Sequence, residues 1–250
     1  MPTMASRSSE RRRIWSWVCY DWANSAFATT VMAGFFPVFF KEYWAGGLPV
    51  TESTEWLGYT TGFASLLVVV LAPVLGTLAD LGGMKKALLT CFAGLGVAMS
   101  AALFLISQGH WQLALLVYLL GILGFSGGNV FYDALLVDTA SEDRFEQVSA
   151  QGFAFGYLGG GILFAVNVWL VTDPAAFGLA DAAEAVKLSF LSVAIWWALF
   201  TLPILLFVHE RRPGVKTPLL KAMGGTFGQL AETVRHLRAS RSAFLFLLAY

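Results

Sequence analysis

The sequence predicts an all-helical integral membrane protein that crosses the bilayer six times, and three observations predict it. Of the 250 residues, 57% are apolar and 13% are charged. That is about half the roughly 25% charge of an ordinary soluble domain. Mean hydropathy is +0.68, so lipid must be the solvent for much of this surface. Finally, the apolar residues fall in six stretches, about 14–40, 57–79, 87–107, 111–137, 148–172 and 187–208. Each meets or approaches the ~20 residues a helix needs to cross ~30 Å of hydrocarbon. Helix is the expected conformation because lipid offers no partner to an exposed backbone group. Strands of a membrane barrel would read as alternating segments of roughly ten residues.

The first stretch follows Arg11, Arg12 and Arg13, as in a secretory signal, but continues to Phe40. A signal peptide's apolar core is roughly 7–15 residues long, so the stretch is read as an uncleaved span behind a tail over 1–13. Basic residues orient the rest. With the N-terminus in the cytoplasm, of the sixteen lysines and arginines only Lys41 and Lys187 fall on the outer side. Trp44, Trp56, Trp111 and Trp169 then sit at outer span ends, with Trp15 and Trp17 at an inner one. In a bacterium such a protein belongs in the plasma (inner) membrane.

Residues 209–242 are polar, with Leu219, Leu220, Met223, Phe227, Leu230, Val234 and Leu237 recurring at helical spacing. This predicts a cytoplasmic loop carrying an amphipathic helix. Ala243 to Tyr250 is read as the start of a truncated seventh span, and the chain as the front half of something longer.

Cys19 and Cys91 lie in apolar stretches, where they are expected as small buried hydrophobes. No metal site is expected from them, nor from His110, His209 and His236, which lie at or near loops. No cofactor is expected. Acidic and basic residues balance at sixteen each, so nothing argues for nucleic acid, and without a Walker motif ATP is not expected to drive this chain.

Chemistry is concentrated in a few polar positions inside the spans. Asp21 lies about 10 Å into the first at 1.5 Å per residue, and Asp133 lies near the inner end of the fourth. A carboxylate at mid-membrane costs roughly 2.5–3.5 kcal/mol and should face a cavity or a partner. No lysine or arginine lies within a span to neutralise either acid. Such groups can carry a proton or receive an amino group. The pair is expected to line the inner half of a central pathway, with Tyr20, Asn24 and Tyr132 beside it. Bracing of helix ends is the alternative. In the fifth span Gly152, Gly156 and Gly160 recur every fourth residue, which permits close helix approach. Asp138, Glu142, Asp143, Arg144 and Glu146 form a charged turn after the fourth span.

Between the second and third stretches runs Gly76-Thr77-Leu78-Ala79-Asp80-Leu81-Gly82-Gly83-Met84-Lys85-Lys86. Glycines suit a tight turn, and the lysines hold the loop in the cytoplasm. This segment resembles the hallmark loop of the major facilitator superfamily at Gly76, Asp80, Gly83, Lys85 and Lys86, with Leu81 and Met84 where arginines are usual. A narrower resemblance is carried by Tyr20-Asp21-Trp22-Ala23-Asn24-Ser25-Ala26-Phe27, by Phe131-Tyr132-Asp133-Ala134-Leu135-Leu136 and by the run from Ser149 to Gly161. These resemble the vacuole-effluxer-like branch, whose eukaryotic members are autophagy-related amino-acid effluxers.

The resemblance implies a bundle of two inverted three-helix repeats, with helices one and four on the pathway and three and six facing outward. It implies a secondary transporter for a small solute, possibly an amino acid, with protons as a possible second partner, in contact with lipid. Asp138 and Arg144 would help latch the inner gate. A second six-helix half, in the same polypeptide or a dimer partner, is expected.

Two other classes compete. A non-transporting receptor or assembly subunit would be favoured if the protein is natively complete at Tyr250. An intramembrane aspartyl protease also uses a Tyr-Asp pair, but the Gly-x-Gly-Asp partner motif is missing before Asp133, and an enzyme is not expected.

Overall fold

A computed structural model describes the backbone of residues 4–210 and of Arg235, and side chains there except at 4–7 and 77–82. The amphipathic helix and the seventh span, along with His236, lie outside the described residues. Among the described residues, six helices are long and apolar enough to cross a membrane: Ser8–Trp44, Val50–Gly76, Lys85–Leu105, Trp111–Ala134, Glu142–Thr172 and Ala182–Phe207. They are called the first to sixth spans below, and the protein is an integral multi-pass membrane protein. The first is longer than expected because helix begins at Met4, inside the stretch read as a tail.

The packing pattern contains the two repeats. The third span packs on the fourth and the sixth on the first; the first packs on the fifth and the fourth on the second; the third and sixth meet. Exchanging one with four, two with five and three with six maps this pattern onto itself. Each repeat holds three crossings, so the second repeat enters from the opposite face and the two are inverted.

Burial follows from the pattern. The first and fourth spans are the most deeply packed, half of their central residues being buried, against 6% in the second. The second span packs chiefly along the fourth and presents Tyr59, Phe63, Leu66 and Val69 outward. Exposure therefore concentrates on the second span rather than on the third and sixth, which are held against the fourth and first. The cysteines also depart from expectation. Cys91 is exposed and Cys19 half-buried, because each sits on the outward side of its helix, where an apolar thiol meets lipid as readily as core.

Between the second and third spans the helix Val50–Gly82 continues past the expected loop. Gly76 and Asp80 are therefore helical, and the turn is reduced to Gly83 and Met84. Gly83 has φ 55° and ψ 38°, the left-handed cap that only glycine adopts at no steric cost. Gly76 has open space where a Cβ would stand, so neither turn geometry nor close packing requires glycine there.

The first span departs most from a plain helix. Met4–Ala26 is α-helical, but Phe27–Phe35 and Phe40–Trp44 are π-helical, with Phe36 N–H donating to Val31 O and Ala45 N–H to Phe40 O. π-Helix is rare and occurs mostly as single turns. Pro37 contributes by lacking the N–H that an α-helix would donate to Ala33. Aromatic rings fill this half: Phe36 stacks on Tyr118 at 3.7 Å, and Trp44 stacks on Phe190 at 5.9 Å. Trp44 is fully buried and donates from Nε1 to Ile106 O at 3.3 Å. It is a packing residue rather than an interfacial anchor, as is Trp17 at 2% exposure.

Candidate functional site

Three helices place an i, i+4 pair on the wall of one cavity, the spacing that stacks two side chains on a single helical face. The first span contributes Trp17 and Asp21, the fourth Asn129 and Asp133, and the fifth Ser149 and Phe153; Tyr132 completes the lining. The cavity measures about 260 Å³. Neither carboxylate makes an ion pair among the described residues, whose two ion pairs lie elsewhere.

The wall is stiff. Trp17 stacks on Tyr132 with ring centroids 4.1 Å apart and donates from Nε1 to Tyr132 O at 2.9 Å. Tyr20 packs on Tyr132 at 5.0 Å. Asn24 Nδ2 donates to Asn129 Oδ1, holding the amide that lines the cavity. Tyr20 and Asn24 therefore do not line it: both are buried behind it and set the lining residues in place.

The glycine stripe closes the fifth span onto the first. A Cβ at Gly152 would stand 2.8 Å from both the Trp17 ring and the Tyr132 hydroxyl; at Gly156, 2.7 Å from Ser25 Oγ; at Gly160, 2.9 Å from Ser25 O. Gly159 joins them, 2.5 Å from the Trp22 ring, whereas Gly161 faces open space. Thr29 Oγ1 donates to Gly160 O at 3.2 Å, a contact the bare glycine backbone permits.

Charged groups tie helix ends together on the side of the bundle where the chain's N-terminus lies. Lys85 Nζ lies 3.0 Å from Asp138 Oδ2 and donates to Ala134 O at 3.0 Å. Lys86 Nζ donates to Leu205 O at 2.6 Å, and Glu210 accepts from the Lys85 N–H at 2.6 Å. Asp138 is 5% exposed, so it belongs to a buried pair and not to a solvated turn. Arg144 does lie at the surface turn, 3.1 Å from Glu10.

The family model described as "Vacuole effluxer Atg22 like" matches residues 48–144 and 137–250. The chain belongs to this vacuole effluxer family. The match contains Asp133 and the fifth-span glycines, while Asp21 precedes it. Among curated relatives of this vacuole effluxer-like chain, the uncharacterized MFS-type transporter YxiO of Bacillus subtilis (strain 168) is 42% identical over 237 residues, covering 94% of this chain and 55% of that protein. Autophagy-related protein 22 of Eremothecium gossypii is 21% identical over 245 residues, covering 81% of this chain and 47% of the relative. The chain thus spans about half the length of these relatives. Their names point to a transporter rather than an enzyme. No solved structure matches.

In this vacuole effluxer-like chain, the residues singled out from sequence fall into two groups. Asp21, Tyr132 and Asp133 meet at the cavity, and Gly152, Gly156 and Gly160 form the seam beneath it. Lys85, Lys86, Asp138 and Arg144 stand at the N-terminal end, apart from the cavity. Sequence reasoning missed Asn129, Trp17, Ser149 and Phe153. Asn129 was readable, being a polar residue one helical turn before Asp133. The other three look like ordinary span residues until the fold brings their faces together.

Proposed function

We propose that the protein is a secondary transporter moving a small solute by alternating access, with residues 14–208 forming one six-helix half of its pathway. The observation that carries this reading is the cavity where Asp21 and Asp133, from pseudo-equivalent spans of the two repeats, face each other's helices without an ion-pair partner. Carboxylates within spans are costly and mark substrate or ion paths by default, and carrier sites lie at repeat interfaces. Family membership supports the same reading.

In this account a second six-helix half, from the same polypeptide or a partner, closes over the exposed second span, and the halves rock about the shared site. The N-terminus lies in the cytoplasm and Lys85, Asp138, Glu10 and Arg144 fasten the inner end. The residues at 209–242 link the halves. An amino acid is the solute to test first, with protons as the coupling ion.

The test is counterflow of amino acids in proteoliposomes holding the protein at native length. Asp21→Asn and Asp133→Asn should each abolish transport while the protein still folds. Full transport in both variants would remove the proposal.

A further inference from the structure

The cavity has a chemical bias beyond a generic polar path. Its lining supplies two carboxylates, Asp21 and Asp133, and two neutral polar groups, Asn129 and Ser149, but no lysine, arginine or histidine. One wall is the packed Trp17–Tyr132 pair. Tyr132 closes that wall against the fifth span: it is 4% exposed, and its hydroxyl packs beside Gly152.

We propose that this cavity is a subsite for the ammonium end of an organic cation, and that its lining offers no matching subsite for a carboxylate. The proposal rests on the transporter reading above and narrows its substrate class. A primary ammonium has three donors and no acceptor. Asp21 and Asp133 can each accept one, and the neutral Ser149 on the same lining can accept the third. An anion would meet two like charges with no compensating cation on the lining. A monoamine should therefore bind at least as well as the amino acid of the same side chain, since the carboxylate gains nothing from these residues.

The test reads the cavity's electrostatics without needing the natural substrate. Cys19 and Cys91 are replaced by alanine and Ser149→Cys is introduced into the native-length protein in nanodiscs. Its alkylation is timed with a positively and a negatively charged methanethiosulfonate of similar size. A cleft lined by one sign of charge concentrates the opposite ion about tenfold or more, so the cationic reagent should react about tenfold faster. The preference should vanish in the Asp21→Asn/Asp133→Asn background. Pentylammonium should protect the thiol, whereas pentanoate and sodium ion should not. Should the new thiol prove occluded, Phe153→Cys, on the outer lip of the same wall, takes its place. Equal rates for the two reagents, equal protection by pentanoate, or protection by sodium without pentylammonium would each overturn the proposal. Failure here with transport still dependent on Asp21 and Asp133 leaves the transporter reading standing. Cation preference and protection without any solute transport would remove that reading and leave the subsite.

Discussion

The two halves of the first span are built from the same helix and do opposite work. The N-terminal half is regular α-helix and carries Trp17, Tyr20, Asp21 and Asn24, all engaged with the fourth or fifth span around a polar cavity. The second half is largely π-helical and carries Phe27, Phe36, Phe39, Phe40 and Trp44, whose rings pack into an apolar plug. It too borders a cavity, larger at about 480 Å³, but there the walls are Phe35, Phe39, Tyr43 and Val186, with Glu42 as the one acid. Size alone would pick the other end. Two carboxylates on one lining, against a single one at the larger cavity, distinguish the two halves.

If that division is right, substitutions in the plug should act on stability and those at the cavity on transport. The largest effect is expected from Phe36→Ala. This ring is fully buried against Tyr118, and its loss should cost about 3–5 kcal/mol, measured by denaturation in micelles. Transport per folded molecule should stay the same. Asp21→Asn should do the reverse, abolishing transport with no loss of melting temperature, because it removes one of the two charges the path presents. A plug variant that transports poorly though fully folded would break the comparison.

Between the halves, Gly159→Ala pushes a methyl against the Trp22 ring and should cost about 1–3 kcal/mol. The neighbouring Gly161→Ala meets only open space and should cost nothing measurable in the same unfolding series. Equal effects at the two glycines would mean that the seam between the first and fifth spans is looser than described. The last is Trp17→Phe, which puts a smaller ring in place of the buried indole and removes the 2.9 Å hydrogen bond to Tyr132 O. The hydrogen bond alone should cost about 1 kcal/mol, and the change should loosen the cavity wall, seen as faster alkylation of the Ser149→Cys thiol.

The number of spans, their approximate ends and the two acids were legible in the sequence because each is a contrast against an apolar background. Asp21 and Asp133 stand out where almost every neighbour is hydrophobic, and the glycines announce themselves by spacing. What was not legible depends on which faces meet. Lys85 and Asp138 are 53 residues apart in the chain, and nothing in either neighbourhood names the other. The second span reads as the equal of the rest, yet it is the most exposed, because burial is decided by the order in which helices are laid together. The π-helical run was hidden for a different reason. In a segment such as Phe-Ala-Thr-Thr-Val-Met-Ala-Gly-Phe, apolar on every side, there is no stripe whose period could betray a wider turn.

That wider turn has a consequence for how the first span can vary. A residue in an α-helix advances the chain by about 1.5 Å and turns it by about 100°. A π-helical stretch holds more residues per turn, so it absorbs surplus chain and resets the phase of everything beyond it. Phe36, Phe39, Phe40 and Trp44 face the core only in the phase that Phe27–Phe35 sets. Removing one residue from that stretch would swing the whole aromatic plug around the helix axis while leaving Asp21 where it is. A change in length by even one residue should therefore be harder on the span than an exchange at an exposed position such as Ala33.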